Sequence, residues 1–126
     1  MKFKINTILH ASFIVEDLDR SLKFYKEVLA LKEDDSRPQM SYPGAWLMLG
    51  DDQQLHLLRL PNPDPEERPE HGGHDRHIAL KVDSIEELKK RLTENNISYS
   101  QSQSRAHVIF FRDPDSNTLE LIGNSV

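Results

Sequence analysis

Cysteine is absent from the 126 residues, which excludes disulfides, thiolate-ligated zinc and cysteine nucleophiles at once. Long apolar runs are absent too. No stretch approaches the roughly 18 apolar residues of a membrane span, and the first six residues alternate charged and apolar side chains, unlike a signal peptide. Positive charge is not in excess: 16 Lys and Arg stand against 21 Asp and Glu, a formal charge of −5. The basic residues are scattered, so the clustered cations that neutralise phosphates are missing and no nucleic-acid partner is expected. These absences together lead to the expectation of a cytoplasmic protein without membrane association. What is present, 37% hydrophobic residues in a chain of one-domain length, suffices for a core without covalent staples.

The apolar run from Ile8 to Val15 predicts a strand. Asp17 then caps a helix whose stripe is Leu18, Leu22, Tyr25 and Leu29. A short strand is expected near Leu31 to Asp34, then strands over Ala45 to Leu49 and Gln54 to Leu60 around the turn Gly50-Asp51-Asp52. Four prolines and two glycines between Pro61 and Asp75 mark a linker. After it the order repeats: a strand from His77 to Val82, a helix opened by the Ser84/Glu87 capping box and lined by Ile85, Leu88 and Leu92, then strands Ile97 to Gln101, Val108 to Arg112 and Thr118 to Gly123. The fold class is therefore α+β, built of two βαβββ modules. Module 1 spans about 6–61, the linker about 61–75 and module 2 about 76–124, within one domain covering 1–126.

The repeat can be read from spacing. His10 and His77 lie 67 positions apart on the opening strands, and the caps Asp17 and Ser84 are also 67 apart. His56 and Glu120, 64 apart, occupy the closing strands. Strand alternation sends Ile78, Leu80 and Val82 toward the helix and leaves His77 and Ala79 on the open face, as His10 shares its face with Ser12 and Ile14. A carboxylate in the middle of Thr118-Leu119-Glu120-Leu121-Ile122 either looks into solvent from a one-sided sheet or is bound to a cation. Taken as a set, His10, His77 and Glu120 supply two imidazoles and a carboxylate, which suits one divalent ion: Fe(II), Mn, Ni, Co or Zn.

Leu9-His10 with Val15-Glu16-Asp17-Leu18, then Ser21-Leu22-Lys23-Phe24-Tyr25, then Val28-Leu29 and Leu31 form the first signature. Arg76-His77-Ile78-Ala79-Leu80 and Arg112-Asp113-Pro114-Asp115-Ser116-Asn117 with Leu119-Glu120-Leu121-Ile122 form the second. On these residues the chain resembles the vicinal-oxygen-chelate superfamily, which includes glyoxalase I, extradiol dioxygenases, methylmalonyl-CoA epimerase and fosfomycin-resistance proteins. The resemblance implies a cup-shaped mixed sheet of two paired modules. It also implies metal ligands on the first and last strands of the modules, carried here by His10, His77 and Glu120. The remaining slot holds His56, where glyoxalase I has a glutamate that is both ligand and base, so His56 is a fourth ligand, a general base or a pocket-wall residue. Glu120 and His56 are the candidate catalytic residues.

Departures from glyoxalase I concern its thiol substrate. The arginine four residues after the first ligand is Ile14 here, the asparagine four after the fourth slot is Leu60, and the Lys/Gly-rich segment is Ser100-Gln101-Ser102-Gln103-Ser104. The cation and polar donors expected to pair with glutathione carboxylates are thus missing. Arg76, Ser12, Trp46 and His74 are candidate substrate contacts, with core packing or surface pairing as the plainer reading. His71 and His74 lie in a Pro/Gly loop where histidines are usually solvated, and Arg105 is expected in a surface ion pair. Three functions follow on a small-molecule substrate: a lyase or isomerase of glyoxalase type, an extradiol-type Fe(II) dioxygenase, or a binding protein on the same fold. Exposed strand edges of the modules lead to the expectation of a homodimer.

Overall fold

The computed structural model describes residues 2–124. β1 (His10–Val15) leads into α1 (Leu18–Leu22), whose N-cap Asp17 accepts a hydrogen bond from the Arg20 backbone N–H. The sequence spacing predicts a regular three-turn helix. Instead the chain widens into a π-helical segment over Lys23–Val28, with Leu29 N–H donating to Phe24 C=O. This extra residue per turn brings Phe24 and Tyr25 inward together, at 6% and 0% exposure. β2 (Gly44–Leu49) and β3 (Gln53–Arg59) complete the first half. The second half comprises β4 (His77–Lys81), α2 (Ile85–Glu94), β5 (Tyr99–Gln101), β6 (Val108–Arg112) and β7 (Thr118–Ile122). Ser84 caps α2 by accepting from the Glu87 N–H.

The first sheet has the order β1-β3-β2 and the second the order β4-β7-β6-β5, each with its opening strand parallel to its closing strand. The strand expected near Leu31 to Asp34 shrinks to one bridge, Glu33 to Leu47. β1 begins at His10 rather than Ile8, and Ile8 and Leu9 are left exposed. The helix-side faces of both sheets meet in one hydrophobic cluster in which Phe24, Leu47, Leu55 and Leu57 join Leu92, Ile109, Phe111 and Leu119. Arg91 ties α2 to the end of the π-helical segment by donating to the carbonyls of Glu27 and Val28.

The Asp113-to-Asn117 loop fastens the halves. Buried Asp113 accepts from the Tyr25 hydroxyl at 2.7 Å and from the Asn117 side-chain amide at 2.9 Å. Asn117 in turn donates to the Ile14 carbonyl, and Asp115 takes the Glu16 N–H and the Arg20 guanidinium. Burial pushes the Asp113 carboxyl above its usual range despite these donors. The conspicuous D-P-D-S-N motif is thus a structural clasp. Among the described residues no helix is long and apolar enough to cross a membrane.

Candidate functional site

The open faces of the two sheets, turned away from the shared core, carry the chemistry-bearing side chains. On the second sheet the register sets Ala79, Glu120 and Phe110 abreast, with His77, Thr118 and Arg112 in the next row. Glu120 is 8% exposed, and its Oε1 lies 3.3 Å from His77 Nε2. His77 Nδ1 is 2.9 Å from the Asp75 carbonyl. Because a carbonyl only accepts, that contact calls for a proton on Nδ1, while Nε2 is the nitrogen that faces Glu120. Such a backbone contact is the usual outer support of a metal-binding imidazole. Arg105, expected in a surface pair, approaches the other carboxylate oxygen at 3.8 Å.

On the first sheet His10, Ser12, Gln54, His56 and Trp46 share one face, with Ser12 and Trp46 flanking His56 in register. Three rings stack: His10 on His56 at 3.9 Å between centroids with planes 13° apart, and Trp46 on His56 at 4.7 Å and 9°. Partial burial, then the neighbouring His10 and Arg37, pull the His56 imidazolium below its ordinary range, against the opposing pull of Asp34. Leu55 and Leu57, its neighbours on β3, are buried toward the helix as alternation requires.

The candidate site residues are therefore found as two groups, His10 with His56 and His77 with Glu120. Among the described residues no three His, Asp or Glu side chains of one chain come together as a metal-holding group. The donor chemistry fits a divalent ion nonetheless: imidazole and carboxylate are already paired at His77 and Glu120, and the imidazole is braced from behind.

The linker is more structured than its composition suggests. Arg68 and Arg112 both reach Asp75 Oδ2, at 2.8 and 2.7 Å, and Arg112 also donates to the carbonyls of Pro69 and Ser116 and to Thr118 Oγ1. Burial alone would raise the Asp75 carboxyl, but hydrogen bonds from Arg112, the Arg76 N–H and Arg68 outweigh it and hold it at about 2. The pinned segment makes a 3₁₀ turn, Gly72–His74, packed on the second sheet. Gly72 sits so close that a Cβ would lie 2.7 Å from Thr118 Cγ2. His71 stacks on His74 and packs against Phe110, whose ring also meets His77 edge-on at 5.8 Å. His74, a candidate substrate contact, is thus linked only through His71 to Phe110, the ring that meets His77, and both loop histidines stay exposed. Arg76 pairs with Asp64 at 2.6 Å and stays largely exposed.

Sequence reading passed over Gln54, Asp34, Phe110 and Asp75. Gln54 was open to notice, since it lies two residues before His56 on the same strand and hence on the same face. Asp34 and Asp75 carried no local signal.

The family model of the Glyoxalase/Bleomycin resistance protein/Dioxygenase superfamily matches residues 7–121. A lactoylglutathione lyase of Haemophilus influenzae is 31% identical over 124 residues, covering 93% of this chain and 92% of the relative. The metallothiol transferase FosB of Staphylococcus saprophyticus is 28% identical over 126 residues, covering 93% of this chain and 76% of the relative. A crystal structure assigned to the glyoxalase family, from Bacillus anthracis, superposes with a TM-score of 0.78 at 24% identity, covering 99% of this chain and all of the other.

Proposed function

Since the chain belongs to the Glyoxalase/Bleomycin resistance protein/Dioxygenase superfamily, we propose that it is a metal-dependent enzyme of glyoxalase type, a lyase or isomerase acting on a small substrate with vicinal oxygens. The observation that carries this reading is the pairing of His77 with the buried Glu120 at 3.3 Å, braced by the Asp75 carbonyl. His10, His77 and Glu120 would hold one divalent ion. Such an ion acidifies a proton on carbon or hydroxyl by polarising the oxygens beside it.

The residues supply what surrounds that chemistry. His77 and Glu120 lie on a sheet face bordered by Phe110 and by the exposed His71–His74 stack. Arg105 stands near Glu120 as the cation that an anionic substrate group would meet. The positions where glutathione contacts are expected remain apolar at Ile14 and Leu60, so the substrate is proposed to be smaller than a glutathione adduct.

The site is proposed to be completed in a homodimer, His10 and His56 of one copy facing His77 and Glu120 of the other. Three features support this. The two groups lie on separate sheets of one chain. Among the described residues, β1 and β4 each lack a second strand neighbour. The arm before β1 also exposes Phe3, Ile5, Ile8 and Leu9, at 71%, 86%, 68% and 70%.

Elemental analysis of protein purified with and without oxygen tests the assignment. The expected result is near-stoichiometric Zn, Ni, Co or Mn, abolished in His77→Ala with a lower Tm, because an ion bound only by the native state stabilises it. A full metal complement in His77→Ala would sink the ligand assignment. Stoichiometric Fe(II), retained only without oxygen, would move the reaction to the extradiol dioxygenase class.

A further inference from the structure

His56 is held on every side that the fold provides. Trp46 covers one ring face and His10 the other, and its Nε2 lies 2.8 Å from Gln54 Oε1. The direction of that hydrogen bond follows from the next link. Gln54 Nε2 sits 2.8 Å from Asp34 Oδ2, and Asp34 Oδ1 accepts the Ser36 backbone N–H at 3.0 Å. An ionised carboxylate has no proton to give, so the amide NH₂ of Gln54 must face Asp34 and its carbonyl must face His56. A carbonyl accepts only, hence the ring proton of neutral His56 is on Nε2. Nδ1 carries the lone pair, with no hydrogen-bond partner among the described residues. Since no buried side-chain nitrogen or oxygen there lacks a partner, Nδ1 is reachable by solvent.

The stack also bears on coordination. A metal–imidazole bond lies in the ring plane at about 2.0–2.1 Å from nitrogen. An ion held by His10 would therefore be offset from the plane of His56 by most of the 3.9 Å between the ring centroids. Both rings cannot bind the same ion while they stay stacked.

We propose that Asp34 and Gln54 are positioning residues that lock His56 in the Nε2–H tautomer, so that His56 serves the site through its free Nδ1, as an acceptor for a substrate hydroxyl rather than as a fourth metal ligand. This selects substrates that bring an O–H donor to the first-module side of the site. It deepens the proposed function and rests on that reading only for the identity of the site, since the tautomer belongs to the metal-free protein.

The test is nitrogen-15 NMR of the full chain, correlating ring nitrogens with ring protons after chelator treatment. Wild type should show His56 Nδ1 in the unprotonated range and a hydrogen-bonded, slowly exchanging Nε2–H. Gln54→Leu should lose that slow proton while the backbone amide fingerprint of the sheets persists, and Gln54→Glu, which keeps an acceptor, should restore it. Zn²⁺ added to wild type should shift His10 and His77 and leave the His56 Nε2–H in place. A proton on Nδ1 in wild type, a slow Nε2–H that survives in folded Gln54→Leu, or its disappearance on Zn²⁺ loading would each overturn the proposal. Failure of Zn²⁺ to shift any ring would strike the metal reading instead and leave the tautomer assignment standing.

Discussion

Replacing Asp75 by Asn removes the charge that holds Arg68 and Arg112 to the base of the linker while keeping shape and size. Its effect can be worked from the structure. The carboxylate lies at about 2 in the folded protein against about 3.9 for an ordinary Asp, a difference that corresponds to roughly 2–3 kcal/mol of stability at neutral pH. Side-chain exposure of 8% at both Asp75 and Arg68 means that solvent screens little of this. Arg112 keeps its bonds to Ser116, Thr118 and Pro69, so the loss should stay below the upper end for a broken buried pair, about 5 kcal/mol. Urea unfolding at pH 7 should therefore place Asp75→Asn roughly 2–3 kcal/mol below wild type, with Tm lower by roughly 10 °C. Because the folded value is depressed, the contribution is complete above about pH 4 and is lost as pH falls toward about 2. At pH 3 the gap between the two proteins should shrink to about half its neutral value. A gap under about 0.5 kcal/mol, the size of an ordinary exposed pair, or one of equal size at pH 7 and pH 3, would refute the view that this ion cluster pins the linker.

Two further outcomes follow from the same geometry. Sedimentation at micromolar concentration should show a species of twice the 14.6 kDa chain mass, and a sole monomer would reject the shared site. Tyr25→Phe should cost about 1–3 kcal/mol in chemical denaturation, since it takes one donor from the buried Asp113 carboxylate; an unchanged midpoint would show that the clasp does not depend on that hydroxyl.

Much of the fold was legible because it is written in local periodicity. The two β-α units, their caps at Asp17 and Ser84, and the helix-facing set Ile78, Leu80 and Val82 all follow from alternation and helical spacing. Where the reading slipped, tertiary packing won. The widened turn at Lys23–Val28 is set by Phe24 and Tyr25 reaching a core that the other module helps to build. The strand near Glu33 fades because only one bridge to Leu47 forms. The linker looked like a solvated loop because prolines and glycines report the absence of a regular ladder and say nothing of long-range ion pairs. Its order comes from Arg112, 37 residues beyond Asp75.

The candidate site was legible at the level of residue and face, and no further. Period-2 alternation puts His10 and His56 on one open face and His77 and Glu120 on another, and the structure keeps those faces. Whether the two faces meet within a chain depends on how the modules pack, which no local pattern encodes. Here the helix-side faces merge into a single core through Leu55, Leu57, Ile109 and Leu119, and that choice turns both open faces away from the shared interior. A fold that spends its apolar faces on joining its halves leaves their polar faces free to meet those of another copy. In the proposed homodimer the candidate donors separated in one chain would be brought together, and the exposed apolar arm leading into His10 is a surface that a second copy would cover.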